Sequence, residues 1–331
     1  MIRLVQIGLG PLGQKVVRFA LERKGLQYVG AVDPAPDKVG KDLGELCGAG
    51  KLGVTICKDL AMALQGRQEG VAILTTVSSV EKLVAQVEEA AKAGLDIVST
   101  CEELSYCQGT YPEAAARINA ICAAHGVSCV GTGVNPGFLM DYLPCVLTSV
   151  CQKVERIIVR RFQDASSRRI PFQQKIGAGL TRQQFQQKVA EGTLRHVGLA
   201  ESVRMIGACI GWKLDDFTES LEPILTHERV TTGHRPVEAG MTRGVEQIGR
   251  GWVNGKEVVT LHFRAAVGEP GSVDAIEIQG EPSFISTIPG GINGDIATCA
   301  IIVNAVRAIQ KTTPGLKSML DLPVPGCYRS L

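Results

Sequence analysis

Two hydrophobic rhythms alternate along the first part of the chain. Short β-rich apolar runs at residues 2–7, 27–32, 71–79, 95–100 and 127–130 are separated by stretches whose apolar positions recur every three or four residues, at 14–21, 80–93 and 112–125. Strand and helix in turn predict an α/β domain built on a parallel, doubly wound sheet over residues 1–137. The rhythm changes after Asn135-Pro136-Gly137. A helical stretch at 139–151 is expected to lead into a second domain, 138–290, with strands at 156–162, 221–232, 242–253, 256–265 and 273–279 and helices at 181–191 and 198–211. Asn254-Gly255 joins two of these strands and is a strong hairpin signal. The second domain therefore reads as α+β, with a mostly antiparallel open sheet. A last helix at 295–310 opens the segment 291–331, which is expected to return to the first domain.

Composition narrows the function classes. A chain of 331 residues with 45% hydrophobic and 21% charged residues is long enough for two cores and reads as a soluble globular protein. A net charge of +2 offers no electrostatic reason to expect nucleic acid or an anionic membrane. No apolar run approaches the length of a bilayer-spanning helix. Met1-Ile2-Arg3 runs straight into a strand, which predicts no signal peptide. The 11 cysteines form no C-x-x-C pair, so they are expected to be reduced, mostly buried thiols in a cytoplasmic protein that holds no metal.

The sharpest motif is Gly8-Leu9-Gly10-Pro11-Leu12-Gly13, set between a strand and a helix. In that setting G-x-G-x-x-G marks a dinucleotide site: a tight turn, close approach of backbone to a pyrophosphate, and close helix–strand packing. Asp33 ends the next strand about 20 residues beyond the last glycine, where an acid that binds the ribose hydroxyls sits. Asp33 favours NAD(H), while Lys38 and Lys41 nearby leave NADP(H) open. Thr75 and Thr76 form a polar tip at the carboxyl edge of the sheet, followed by Ser78 or Ser79 as a helix cap.

Acid–base chemistry points to Ser99-Thr100-Cys101-Glu102-Glu103-Leu104. Here two carboxylates follow the fourth of the strands named above, and no histidine closely follows any strand of the first domain. The alternative is that these glutamates serve a helix N-terminus. Asn135 is either a hydrogen-bonding group for nicotinamide or substrate, or a turn starter. Asn293 and Thr298 flank the start of the final helix within reach of cofactor or substrate. In the second domain the stretch Arg160-Arg161-Phe162-Gln163-Asp164-Ala165, followed by Arg168-Arg169, is a basic cluster, and Arg161, Gln163 and Arg168 serve either an anionic substrate group or a solvated sheet edge or interface salt-bridge network. Phe138, Phe162, Ile170 and Phe172 can line an apolar pocket; His262 lies mid-strand, and His196 precedes a helix.

Taken together, IGLGPLGQ, DKVGKDLGEL, STCEELSY, TGVNPGFLMD, RRFQDASSRRIPFQQKIGAGLT, HVGLAES, GGINGDIATCAIIVNA and PGLKSMLDLPVPG resemble the 2,4-diaminopentanoate dehydrogenases and the related native amine dehydrogenases. Their first domain resembles that of dihydrodipicolinate reductase. The resemblance implies an NAD(P)-dependent homodimer that interconverts a primary amine with a carbonyl compound and ammonia. It implies an essential acid/base glutamate within Glu102-Glu103, and alignment with a homoserine dehydrogenase pattern selects Glu103. Two other readings compete: a dihydrodipicolinate-type C=N reductase, and a non-catalytic NAD sensor.

Overall fold

A computed structural model describes residues 1–66, 68–168, 170–231 and 236–328. The chain divides into two compact units: Met1–Phe138 with the stretch from Asn293 onward, and Leu139–Ile292.

The first unit begins β1 (Ile2–Ile7), α1 (Pro11–Leu21), β2 (Leu26–Val32), α2 (Leu43–Leu46), β3 (Ile56–Cys57), α3 (Leu60–Leu64), β4 (Gly70–Leu74), α4 (Val80–Lys92) and β5 (Leu95–Ser99). A 3₁₀ segment, Glu102–Gly109, then leads to α5 (Pro112–His125) and β6 (Ser128–Gly131). All its strands run parallel, in the order β13-β6-β5-β4-β1-β2-β3, where β13 (Gly315–Lys317) comes from the end of the chain. Val71, Ala72, Ile73 and Leu74 of β4 are all 0% exposed, as a strand covered on both faces requires. Helix α1 turns Gly13, Val16, Val17 and Ala20 inward, and α4 does the same with Leu83, Val84 and Val87.

The second unit holds α6 (Tyr142–Leu147), β7 (Lys153–Asp164), α7 (Ile170–Lys175), α8 (Arg182–Ala190), α9 (Leu199–Ile210), β8 (Asp216–Leu225), β9 (Thr242–Val253), β10 (Lys256–Ala266), β11 (Val273–Glu281) and β12 (Phe284–Pro289). The strand order is β12-β11-β7-β10-β9-β8, antiparallel except for the β7–β10 pair. Asn254 and Gly255 both adopt positive φ (51° and 71°), the conformation that a two-residue hairpin turn matched to strand twist demands. One sheet face is buried beneath α9, while the other, carrying Arg160, Phe162, Glu246, Ile248 and His262, stays half-exposed. The first unit is completed by α10 (Gly294–Ile309), which packs on α1 and β5, and by β13 (Gly315–Lys317).

Several boundaries differ from expectation. The strand expected at 221–232 is β8, whose pairing with β9 runs from Asp216↔Trp252 to Leu225↔Thr242, so the ladder ends where β9 begins; Thr232 lies outside the described residues. The helix expected at 139–151 is only α6, started by the Asp141 carboxylate accepting from the Tyr142 N–H and followed by a 3₁₀ turn, Thr148–Val150. Strands β3, β12 and β13 and helices α2, α3 and α7 were not expected. Short elements carry too few residues for a periodic signal. With β3 included, the Glu102-Glu103 motif follows the fifth strand.

Candidate functional site

The carboxyl edge of the parallel sheet gathers most of the expected residues of the first unit. Gly8–Gly13, Asp33, Thr75-Thr76, Glu102-Glu103 and Asn135 follow β1, β2, β4, β5 and β6 in turn. That edge is where open α/β sheets bind ligands.

The three loop glycines are required for different reasons. Gly8 has φ +90°, and a Cβ there would lie 2.7 Å from the Thr75 carbonyl oxygen. A Cβ on Gly13 would lie 2.2 Å from the Gly8 carbonyl oxygen, so α1 can sit this close to the loop only without one. Gly10 has ordinary dihedrals, and nothing in the protein lies within 4 Å of its Cβ position. The space above Gly10 is open at the N-terminus of α1, the position that a dinucleotide's pyrophosphate takes in strand–glycine loop–helix units. Gly13→Ala is therefore expected to destabilise the fold. Gly10→Ala should leave the melting temperature unchanged while weakening NAD(P)H binding, and fluorescence titration beside thermal melting separates the two.

The loop opens on a cleft of about 500 Å³ lined by Gly8, Leu9, Gly10, Asp33, Pro34 and Thr75 among others. Asp33 is 6% exposed; its Oδ2 accepts from the Leu9 N–H (2.8 Å) and the Lys38 Nζ (2.8 Å), and its Oδ1 from the Ala35 N–H (3.0 Å). Burial works against its charge, but the hydrogen bonds from Lys38, Ala35 and Leu9 and the Lys38 charge outweigh that and hold the carboxyl below its usual range. Thr75 Oγ1 donates to the Gly8 carbonyl (2.8 Å) and so braces the loop, and Thr76 Oγ1 contacts Gln86 Oε1 at 2.6 Å. Pro11 is exposed and Leu12 half-buried in the first turn of α1. Lys58, Asp59, Gln86 and Glu89 also line the cleft. Sequence reasoning missed them because they belong to the short β3–α3 stretch and to an ordinary helix face.

Glu103 is 7% exposed, and its Oε2 accepts from the Val80 N–H at 2.9 Å. Ser79 occupies the N-cap position of α4 but makes no side-chain cap bond. A carboxylate from 23 residues away caps the helix instead, at a terminus that suits an anion. Its neighbour Glu102 is half-buried. Thr298 Oγ1 accepts from the Val134 N–H at 3.4 Å, which brings Thr298 to the turn holding Asn135. Asn293 caps α10, its Oδ1 accepting from Asp295 and Ile296 N–H groups. Phe138 is half-buried.

In the second unit the expected substrate residues separate. Arg161, Gln163 and Arg168 are buried together: Arg168 Nη1 donates to Gln163 Oε1 (3.3 Å), and its guanidinium lies 3.9 Å from the Phe172 ring centre. Arg161 Nη1 pairs with Asp274 Oδ1 at 2.6 Å, and its Nη2 donates to the Ile292 carbonyl at 3.1 Å. Gln163 Nε2 donates to the same carbonyl at 2.9 Å. His262 is registered opposite Arg160 across β10 and β7, so it lies on the other face of the sheet, where its Nε2 contacts Glu246 Oε1 at 2.8 Å. The structure therefore does not bring His262 together with Arg161. Arg169 lies outside the described residues. His196 stacks on Phe263 at 4.5 Å, and the Gln247 carboxamide binds both its backbone N–H (2.7 Å) and its carbonyl (2.9 Å). Burial, then the charges of Lys175 and Arg161, push its pKa down to about 3, which keeps the imidazole neutral near pH 7.

Among the described residues no cluster of His, Cys, Asp and Glu is arranged to hold a metal, and no helix is long and apolar enough to cross a membrane. Every cysteine is a free thiol.

Comparison with known proteins extends this geometry. Residues 2–102 match the dihydrodipicolinate reductase N-terminal family, which implies NAD(P) use, and residues 138–330 match the 2,4-diaminopentanoate dehydrogenase C-terminal domain. The chain is 31% identical to the 2,4-diaminopentanoate dehydrogenase of Acetoanaerobium sticklandii, covering 100% of this chain and 97% of that one. It is 23% identical to an amine dehydrogenase of Streptomyces virginiae, with 98% and 97% covered. Its fold matches the amine dehydrogenase of Mycobacterium smegmatis with a TM-score of 0.87 at 23% identity, covering 100% of this chain and 98% of that one. With both units matched and the relatives spanned from end to end, the chain belongs to the 2,4-diaminopentanoate dehydrogenase and amine dehydrogenase family, whose members act on CH–NH₂ donors.

Proposed function

We propose that this protein catalyses the reductive amination of a ketone or aldehyde with ammonia and, in reverse, the oxidative deamination of a primary amine, using NAD(H) or NADP(H). The observation that carries the reading is the buried Glu103 carboxylate at the same sheet edge as the open glycine loop. The nicotinamide, when bound, gives or takes the hydride. Glu103 supplies the proton chemistry: it takes a proton from the substrate ammonium in the oxidative direction and relays protons as ammonia adds to the carbonyl in the other. Its negative charge also stabilises an iminium cation. The Val80 N–H fixes the direction of the carboxylate, so that the group is in place before substrate arrives.

The test is NADH and NADPH oxidation with a panel of carbonyl compounds, from cyclohexanone and small aldehydes to 2-amino-4-oxopentanoate, each with and without ammonium. Ammonium-dependent oxidation establishes the reading. Oxidation that ignores ammonium points to a C=N or carbonyl reductase, and tight cofactor binding without turnover points to a sensor. The same panel separates 2,4-diaminopentanoate from simple amines as the physiological class.

Both cofactors are accepted in this reading because Lys38 already neutralises Asp33 (2.8 Å) and can turn to a 2′-phosphate. Lys38→Ala is expected to lower kcat/KM with NADPH about tenfold or more while changing that with NADH little, since a lost phosphate contact leaves a lone carboxylate facing the phosphate. An equal loss with both cofactors would refute this role.

The protein acts as a cytoplasmic homodimer that joins two copies through the half-exposed sheet face of the second unit. That face mixes Ile158, Phe162 and Ile248 with charged residues, apolar surface that a second copy would bury. Light scattering of Ile248→Glu is expected to report monomer where the parent chain reports dimer. A parent that is monomeric at micromolar concentration refutes the proposal.

A further inference from the structure

Two pairs of cysteine thiols touch: Cys122 with Cys129 in the first unit, and Cys145 with Cys209 in the second. Both members of the first pair are 0% exposed, so a reagent in solvent does not reach them in the folded chain. The second pair differs. Cys145 is 4% exposed, while Cys209, in the last turn of α9, is open to solvent.

The seam between α6 and α9 sets this pair. Asp141 Oδ1 accepts from the Tyr142 N–H, and its Oδ2 accepts from the Ser202 hydroxyl at 2.8 Å, so the start of α6 is tied to α9. Cys145 lies four residues beyond Asp141 and Cys209 seven beyond Ser202, spacings that keep both cysteines on the faces that meet. There the Cys145 S–H donates to the Cys209 sulfur. That hydrogen bond, acting against burial, brings the Cys209 thiol down to about 7, so about half of it is thiolate near pH 7. The same contact, burial and the Asp141 charge push Cys145 up, and it stays a thiol. The end of a helix gives a thiolate no help from the dipole, which leaves Cys145 as the source of the activation.

We infer that Cys145 and Cys209 form a site of reversible oxidation by hydroperoxides, with Cys209 as the attacking sulfur and Cys145 as the resolving thiol. The Cys209 sulfur attacks one peroxide oxygen and the O–O bond breaks. The other oxygen takes up a proton and leaves as water or an alcohol, and Cys209 becomes a sulfenic acid. The Cys145 sulfur then displaces the sulfenic hydroxyl, which departs with the Cys145 proton as water, and the S–S bond forms. The two sulfurs together lose two electrons, which reduce the peroxide, and exchange with a dithiol restores both thiols. An exposed, activated thiol with a second thiol behind it is the arrangement that this chemistry needs. The inference stands independently of the reaction proposed above.

Peptide mass spectrometry of the full chain after treatment with hydrogen peroxide tests it. A Cys145–Cys209 cross-link that dithiothreitol reverses is expected before any product at Cys327, which is also exposed, and without a link between Cys122 and Cys129. Cys145→Ala should halt the reaction at a Cys209 sulfenic acid that dimedone traps. It should also slow that step about fivefold at pH 7, because more thiolate is lost than nucleophilicity is gained. Cys209→Ser, at an exposed position, should leave Cys145 unmodified, and this variant carries the test if Cys145→Ala does not fold. Oxidation of Cys209 no faster than of Cys327 would overturn the inference. So would a Cys209 sulfinic acid formed while Cys145 stays free, or a peroxide-dependent disulfide at Cys145 in Cys209→Ser.

Discussion

Glu103→Gln is expected to cut turnover by about 10²–10⁴-fold or more while leaving NADH binding and melting temperature close to those of the parent. The structure makes this substitution informative. The carboxylate oxygen that accepts from the Val80 N–H can be replaced by the amide oxygen of glutamine, so the cap on α4 is retained while charge and basicity are lost. Glu103→Ala removes both, and should add a stability loss of about 1 kcal/mol, the usual cost of a missing helix cap. If Glu103 did no more than cap the helix, glutamine would be nearly as active as glutamate and only alanine would be impaired. Glu102→Gln is the control at the neighbouring, half-buried position. A collapse of activity there with near-normal activity in Glu103→Gln would transfer the acid/base role by one residue.

The two architectures were legible because they rest on signals that are local and strong. The glycine loop, the continuous apolar run of β4 and the Asn254-Gly255 hairpin each carry their own conformational cause. What the sequence hid depends on partners far away in the chain. Nothing near Val80 announces that Glu103 completes its helix, and nothing near Asp33 says that Lys38 sits on it rather than in solvent. The basic run at 160–169 shows the same limit in another form. Strand alternation sends Arg160 and Arg161 to opposite faces, so one pairs with Glu277 on the half-exposed side and the other is buried against Asp274. His262 follows Arg160 for the same reason.

The burial of Arg161 carries the second large effect. Arg161 is 2% exposed and Asp274 5% exposed, and together with Gln163 they hold the backbone of Ile292 on both sides of its Cα. The Ile292 N–H donates to Asp274 Oδ2 at 2.7 Å, while its carbonyl accepts from Arg161 and Gln163. Arg161→Met would leave the Asp274 carboxylate buried without its counter-charge. Breaking such a pair from one side costs about 3–5 kcal/mol, so a large drop in the urea midpoint is expected. The double variant Arg161→Met/Asp274→Leu should recover part of the loss, because the stranded charge is gone, although the Ile292 N–H then lacks its acceptor. A substrate-binding arginine would behave differently. Its loss would leave the fold intact and raise KM for a carboxylate-bearing amine alone. Normal unfolding together with that selective KM effect would return Arg161 to the substrate. Otherwise the substrate carboxylate is expected to fall to Arg168, whose guanidinium lies 3.9 Å from the Phe172 ring centre, and Arg168→Met should then raise KM for 2,4-diaminopentanoate without a comparable change for cyclohexylamine.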